Sequence, residues 1–263
     1  MIKNIIASFI LILVLAGCKK NLLDNNEYWN FEPGNAYVKF IHTYNSSFPS
    51  TAAPANGAIV TFSVAGTKVS GVNNNGVVYG GVFPTTGGQY ASVLPGTLNI
   101  KTALYRAPGS AAQPTDVVSD GSFTLNAGTY YSAFLVDTLP FPTAATPNMV
   151  IVPDSNGRAK PGYFKMRFAH MIPTTDTLEL VSKNSQTVLF SNLNFKKVSP
   201  FIEMPLLSKN DTIQLRKKGT TVVLADNKPF FPASERVYTF FCRGIYTATT
   251  GTRARTLSTY TNQ

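Results

Sequence analysis

The segments Val38-Lys39-Phe40-Ile41-His42 and Met166-Arg167-Phe168-Ala169-His170 decide the fold of this chain. They match position by position at a separation of 128 residues. Side chains alternate between the two faces of a strand, so Val38, Phe40 and His42 share one face. That face is apolar in both segments, which predicts two equivalent strands that each cover a core.

Two further pairs of segments repeat in the same order. Residues 97–101 match 212–216 at a separation of 115, and residues 131–134 match 238–241 at 107. Matched segments in constant order indicate an internal repeat, and the shrinking separation indicates longer loops in the first copy. These loops are predicted at 70–89 and 107–121.

Short β-rich runs separated by turn residues fill the rest of the chain. Helical periodicity is not sustained anywhere, and 17 Pro and 19 Gly residues punctuate the pattern. We therefore predict an all-β fold of sandwich or small-barrel type, with domains at 36–157 and 163–263. The short polar joint between them should restrict their relative orientation. The predicted strands are residues 37–42, 58–64, 97–104, 129–136, 149–152, 164–170, 177–181, 201–204, 212–217, 221–224, 237–243 and 255–261.

Three features resemble a known family. Arg167-Phe168-Ala169-His170 is followed by Pro173, then by Leu178-Glu179-Leu180, and the run Met149-Val150-Ile151-Val152-Pro153-Asp154 leads into the second copy. In these residues the chain resembles two tandem copies of the domain of unknown function 4397, which is common in secreted and lipid-anchored bacterial proteins, including those of Bacteroidota. The resemblance covers nearly all of 36–263 and implies immunoglobulin- or transthyretin-like β-sandwiches without enzymatic activity.

The N-terminus is typical of export followed by lipidation. Lys3 precedes an apolar run of 11 residues at 5–15, too short to span a membrane as a helix. The run ends in Leu15-Ala16-Gly17-Cys18, which resembles the bacterial lipobox, where cleavage precedes an acylated cysteine. Several acyl chains on Cys18 would hold the protein stably on a membrane.

We therefore expect a signal peptide at 1–17 and a tether at 18–35. The tether carries the single tryptophan, Trp29, which is predicted to pack onto the first domain, with ligand binding as the alternative. Because Lys19 rather than Asp follows Cys18, the proteobacterial inner-membrane retention signal is absent and the outer membrane is the expected location. Lys19-Lys20 also replaces the acidic residues typical of surface export, so the periplasmic and the cell-surface face both stay open.

His42 and His170, the only histidines, occupy the same position in the two copies. A catalytic or ligand-binding role would need duplicated partners, yet Glu179 in the second copy corresponds to Thr61 in the first. We therefore predict structural histidines whose ring nitrogens bond a loop carbonyl at the strand end. Of the two cysteines, Cys242 lies in a strand-like run and is predicted to be a small buried hydrophobe.

The sequence contains no recognisable catalytic, metal or cofactor motif. The glycine-rich stretch at 71–88 lacks the lysine and helix of a phosphate-binding loop, and neither a nucleophile elbow nor a zinc motif occurs. We expect no enzyme activity, metal or cofactor. Low charge (14%) argues against a coiled coil, and a mean hydropathy of +0.02 argues against a polytopic membrane protein.

Basic charge is concentrated in the second copy. Residues 36–140 contain four basic and three acidic residues, whereas 163–263 contain 14 and six, a net charge of +8. Export argues against nucleic acid as a partner. An acidic polymer or anionic headgroup is one interpretation, and a solvated basic face without a partner is the other. The predicted basic patch comprises Lys196, Lys197, Arg216, Lys217 and Lys218.

Aromatic residues of the first-copy loops have two interpretations. Such rings can stack on the apolar faces of sugars, or they can cap the sandwich. The candidates are Tyr44, Phe48, Tyr79, Phe83 and Tyr90.

Taken together, these features favour a lipid-anchored cell-envelope protein with a non-catalytic structural or binding role. Candidate partners are a glycan, an acidic polymer or another envelope protein. An accessory carbohydrate-binding lipoprotein of a glycan-uptake system is the first alternative. An envelope hydrolase with two converging loop carboxylates is the second.

Overall fold

The computed structural model describes residues 32, 34–44, 59–70, 76–85, 87–105, 116–136, 149–154, 157–226 and 229–262. The signal peptide, the lipobox, Trp29 and Phe48 lie outside the described residues. Strands are the main regular element of the described chain and there is almost no helix in it, which confirms the all-β prediction. None of it forms a helix long and apolar enough to cross a membrane.

In the described residues, the first sandwich consists of nine strands in two sheets. Sheet A has the order β4-β1-β8-β9, with β5 also paired to β1, and sheet B has the order β3-β2-β6-β7. The strands are β1 Ala36–His42, β2 Val60–Val64, β3 Thr67–Lys68, β4 Val82–Phe83, β5 Ala91–Val93, β6 Gly96–Leu104, β7 Val117–Leu125, β8 Tyr130–Leu135 and β9 Met149–Pro153.

The second sandwich consists of eight strands in two sheets. Sheet C has the order β13-β10-β16-β17, and sheet D has the order β12-β11-β14-β15. The strands are β10 Tyr163–His170, β11 Leu178–Ser182, β12 Val188–Leu193, β13 Ile202–Pro205, β14 Ile213–Lys217, β15 Val223–Asp226, β16 Val237–Arg243 and β17 Thr256–Thr261.

The two sandwiches share one topology. In each, the first strand pairs in parallel with the penultimate strand of its sheet, β1 with β8 and β10 with β16. The other strand pairs are antiparallel. Each sandwich encloses its own apolar core, which includes Phe40 and Phe62 in the first and Phe168 and Leu215 in the second.

A third core joins the sandwiches. Ile41 and Phe134 on the outer face of sheet A pack with Ala169 and Phe241 on the outer face of sheet C. The sheets therefore stack in the order B, A, C, D, and β1 is buried along its whole length because sheets cover both of its faces.

The predicted loop at 107–121 is wrong from Val117 onward, because β7 begins there and pairs with β6. This strand reads Val-Val-Ser-Asp-Gly-Ser-Phe-Thr-Leu, and its polar residues lie at a sheet edge, where burial imposes no strict alternation. The strand predicted at 221–224 lies two residues later, at Val223–Asp226. Strand β12 was not predicted at all.

Candidate functional site

A buried polar cluster occupies the interface between sheets A and C. Asp154 follows β9 directly, and its carboxylate pairs with the guanidinium of Arg167 on β10. The Asp154 side chain is 0% exposed and that of Arg167 is 2% exposed. A buried ion pair is stable only when its remaining polar atoms also find partners.

Those partners come from both sandwiches. Tyr90 Oη, Ser132 Oγ and Asn262 Nδ2 each donate a hydrogen bond to Asp154 Oδ2, at 2.6, 2.8 and 2.8 Å. The pair Asp154–Arg167 therefore ties residues of β8 and the end of β17 into one network.

Arg167 also uses its other donors. Its Nε donates to Thr239 Oγ1 at 3.0 Å, and its Nη1 donates to the Pro153 carbonyl at 3.1 Å. Its guanidinium lies 4.5 Å from the ring centre of Phe201. Burial lowers the pKa of the Arg167 guanidinium, but Asp154 and the Tyr260 hydroxyl together outweigh burial, so the net shift of this pKa is upward. Arg167 therefore stays charged, and its guanidinium has polar partners from both sandwiches.

Lys39 is the second buried cation of this interface. Its Nζ donates to the Thr261 carbonyl at 2.9 Å and lies 4.8 Å from the ring centre of Tyr90. The residue is 1% exposed. Burial lowers the pKa of its ammonium group to about 8, with only partial compensation from Asp154.

The interface has approximate two-fold symmetry at the level of single residues. Strand register makes Lys39 equivalent to Arg167, because they pair with Ser132 and Thr239 of the parallel neighbours. Each cation crosses to a backbone carbonyl of the other sandwich, Arg167 to Pro153 and Lys39 to Thr261.

The same registers relate the remaining positions. The antiparallel pairings of β9 and β17 place Asp154 and Asn262 in corresponding positions directly after those strands. The pairings of β5 and β13 make Tyr90 equivalent to Phe201, and each ring lies against the cation of its own sandwich. Self-complementarity of this kind is the property of a two-fold dimer interface, here formed within one chain.

This cluster is not evident from the sequence. Asp154 stands out there only as the end of the run 149–154, and Arg167 only as part of the repeat and of the family resemblance. The available signal was a charged residue at matched positions of two otherwise apolar strands, Lys39 and Arg167. Which acid meets them depends on sheet packing, which the sequence does not state.

His42 and His170 are both 0% exposed. His170 Nε2 lies 3.4 Å from the Asp176 carbonyl in the following loop, and its Nδ1 lies 3.3 Å from the Ile172 amide that donates to it. Burial lowers the pKa of His170 to about 4. His42 packs edge-on against the ring of Tyr79, with 5.8 Å between ring centres.

Cys242 lies beside His170 in the second core. Its Sγ is 3.7 Å from His170 Nδ1, and burial raises the pKa of the thiol to about 12. A thiol that stays protonated and inaccessible is not a nucleophile. Within the described ranges, no group of three His, Cys, Asp or Glu residues could hold a metal ion.

The aromatic candidates separate into two groups. Tyr44 is 2% exposed and Tyr90 is 5% exposed, so neither ring can stack on a sugar from solvent, and that interpretation is corrected for both. Phe83 is half-buried against the first core. Tyr79 is half-buried beneath the guanidinium of Arg243, 4.7 Å from its ring centre.

The basic residues of the second sandwich do not all present free charge. Lys217 Nζ is 2.9 Å from Asp176 Oδ1, and Arg216 donates to Gln186 Oε1 at 2.9 Å. Lys196 and Lys197 lie in the turn that follows β12, where Lys197 is exposed and burial lowers the pKa of Lys196. Lys218 is exposed and donates to Asn192 Oδ1. Three of the five residues, Arg216, Lys217 and Lys218, thus have an acidic or amide partner that competes with any outside anion.

Residues 58–181 match the domain of unknown function DUF4397. The match begins just before β2 and runs through β10 into β11, so it crosses from the first sandwich into the second. It includes Asp154 and Arg167. No curated protein matches the chain.

Proposed function

We propose that this is a lipid-anchored protein of the outer membrane whose two sandwiches form one rigid, non-catalytic module for a structural or binding role. The observation that supports the rigid-module part of the proposal is the buried interface between sheets A and C. Its apolar layer and its Asp154–Arg167 network fix the relative position of the two sandwiches. A fixed pair presents its loops and edges in a constant arrangement, which favours binding without a cost for ordering the domains.

The charged residues of the interface support a structural role for this cluster. A catalytic group must touch its substrate, whereas Asp154, Arg167 and Lys39 are covered on both sides by sheets. The hydrogen bonds of Asp154 are already used within the protein.

Two tandem copies of one ancestral unit are part of the same proposal. The shared sheet order and the residue-level equivalence of Lys39 with Arg167 are what duplication of a two-fold dimer would leave behind. After fusion into one chain, the two copies can change independently. The equivalent positions 154 and 262 accordingly carry Asp in one copy and Asn in the other.

The membrane anchor rests on Leu15-Ala16-Gly17-Cys18 behind a short apolar run. Replacement Cys18→Ala should move the protein from the membrane fraction to the soluble fraction and abolish labelling by a palmitate analogue. Cys242→Ala is the matched control, because it removes the other cysteine and should leave fractionation and labelling unchanged. A Cys18→Ala protein that still sediments with membranes and still takes up the label would refute the lipid anchor.

A further inference from the structure

Strand β17 is an unprotected sheet edge. Natural sheets protect their edges with charge, proline, bulges or very short strands. The other described edge strands have one of these features. Strands β3, β4 and β5 have only two or three residues, and β12 pairs through shifted registers. Strands β7, β9, β13 and β15 contain Asp or Glu or end in Pro. Strand β17 reads Thr-Leu-Ser-Thr-Tyr-Thr, is six residues long and pairs with β16 without a register shift.

The outward backbone groups of β17 follow from its pairing. Asn262 N donates to the Val237 carbonyl, so residues alternating with Asn262 bond to β16. The N–H and C=O groups of Leu257, Thr259 and Thr261 therefore point away from β16. Gly88 N donates to the Thr261 carbonyl at 3.3 Å, so the first sandwich already pairs with one end of this edge. No residue in the described ranges bonds the outward groups of Leu257 and Thr259.

A groove of about 750 Å³ runs along the same edge. The first sandwich contributes Gly80 and Val82 to its wall, and the second contributes Phe231 beside the strand. Phe231 is 62% exposed and gives this wall an apolar surface that is open to solvent. The groove is therefore continuous with the interface between the sandwiches.

One cation lies at the far end of this groove. Arg243 pairs with Thr256 in the β16–β17 register and stacks on Tyr79, and it has no acidic partner among the described residues. Its Nε is buried without a hydrogen-bond acceptor in the described part of the chain. Gly80 makes room for it, since a Cβ there would lie 2.4 Å from Arg243 Cζ.

We propose that β17 binds an extended acidic peptide, which adds as a further strand to sheet C and places a carboxylate on Arg243. The unpaired groups of Leu257 and Thr259 supply backbone recognition, Phe231 supplies an apolar contact, and Arg243 supplies charge complementarity. Strand addition continues the pairing that Gly88 begins at Thr261. This proposal deepens the proposed binding role and rests on it, whereas the lipid anchor is tested separately by Cys18→Ala.

The test uses the full chain in detergent and a displayed library of linear peptides of about eight residues, long enough to cover β17. Selected peptides should be rich in β-branched residues with one Asp or Glu. Thr259→Pro removes an outward N–H from an edge position, where proline is tolerated, and should weaken binding at least about tenfold. Thr259→Ser keeps both the N–H and the hydroxyl and should bind like the parent.

The charge contact has its own variant. Arg243→Gln should weaken binding of the selected acidic peptide about tenfold and leave its Asn- or Gln-substituted version unaffected. Failure to enrich any peptide, or equal binding by Thr259→Pro, would overturn the proposal. Binding of oligogalacturonate instead of peptide would also overturn the proposal, because the occupant would then be a glycan. A concentration-dependent dimer of the chain that Thr259→Pro dissociates would overturn it too, because the occupant would then be a second copy.

Discussion

Equivalent positions of the two sandwiches carry different residues, and the difference decides where charge is tolerated. On one side of the interface Arg167 pairs with the carboxylate of Asp154, whereas on the other the equivalent of Asp154 is the amide Asn262, and Lys39 donates to the neighbouring Thr261 carbonyl. The backbone frame is the same on both sides. Arg167 keeps a raised pKa, whereas burial lowers that of Lys39 to about 8. We infer that an acid at position 154 stabilises the buried charge of Arg167, whereas the amide at the equivalent position 262 leaves the buried charge of Lys39 unfavourable.

The largest effect is expected from removing the acid. Asp154→Ala leaves Arg167 as an uncompensated buried charge and leaves Tyr90, Ser132 and Asn262 without their shared acceptor. We expect a loss of about 3–5 kcal/mol in the free energy of unfolding. Denaturant unfolding followed by fluorescence measures it.

The double variant Asp154→Ala with Arg167→Met is the control for that prediction. Removing both charges should cost less than removing the acid alone, because no unpaired charge stays buried. If the loss in the double variant equals the sum of the losses in Asp154→Ala and Arg167→Met measured separately, the ion pair does not stabilise the interface.

The second effect concerns His170, which is deeply buried in the second core. Its folded pKa of about 4 lies below the usual histidine value of 6.5, so the unfolded chain binds more protons between those values. Stability should therefore fall as the pH drops from 6.5 to 4, by up to about 1.4 kcal/mol per pH unit and about 3 kcal/mol in all.

The variant His170→Gln separates this contribution from that of the carboxylates. Its stability should change less steeply with pH over the same window, measured by denaturant unfolding at several pH values. Parallel pH profiles for the parent and His170→Gln would show that His170 titrates normally in the folded state.

The smallest effect is expected at Lys39. Lys39→Met keeps most of the side-chain volume and removes a cation that has one carbonyl acceptor, so we expect a change within about 1 kcal/mol or a gain. Because the folded pKa of about 8 lies below the unfolded value of 10.5, stability of the parent should rise from pH 8 towards pH 10. The variant should lack this rise in urea titrations, and a loss as large as that of Asp154→Ala would contradict the comparison.

Much of the fold could be predicted from the sequence, because strand periodicity and turn residues are local. Residues 237–243 were predicted with the observed limits of β16, and β1 was predicted within one residue. Edge strand β7 was missed because a polar edge carries little periodicity. The candidate site was missed because it depends on long-range packing. Asp154 reads only as a polar residue after a strand until the outer faces of sheets A and C are known to meet.

The most direct test of the account moves the carboxylate across the approximate two-fold axis. Asp154→Asn alone should lose stability because Arg167 keeps only an amide partner. Adding Asn262→Asp places an acid at the equivalent position, next to the Thr261 carbonyl that Lys39 binds. Thr239 Oγ1 already donates to residue 262, and the Tyr90 hydroxyl, which now accepts from Asn262 at 3.1 Å, can turn to donate to the new carboxylate. The account predicts that the double variant recovers at least about 1 kcal/mol of the free energy of unfolding relative to Asp154→Asn. A double variant no more stable than Asp154→Asn would contradict the equivalence of the two sides.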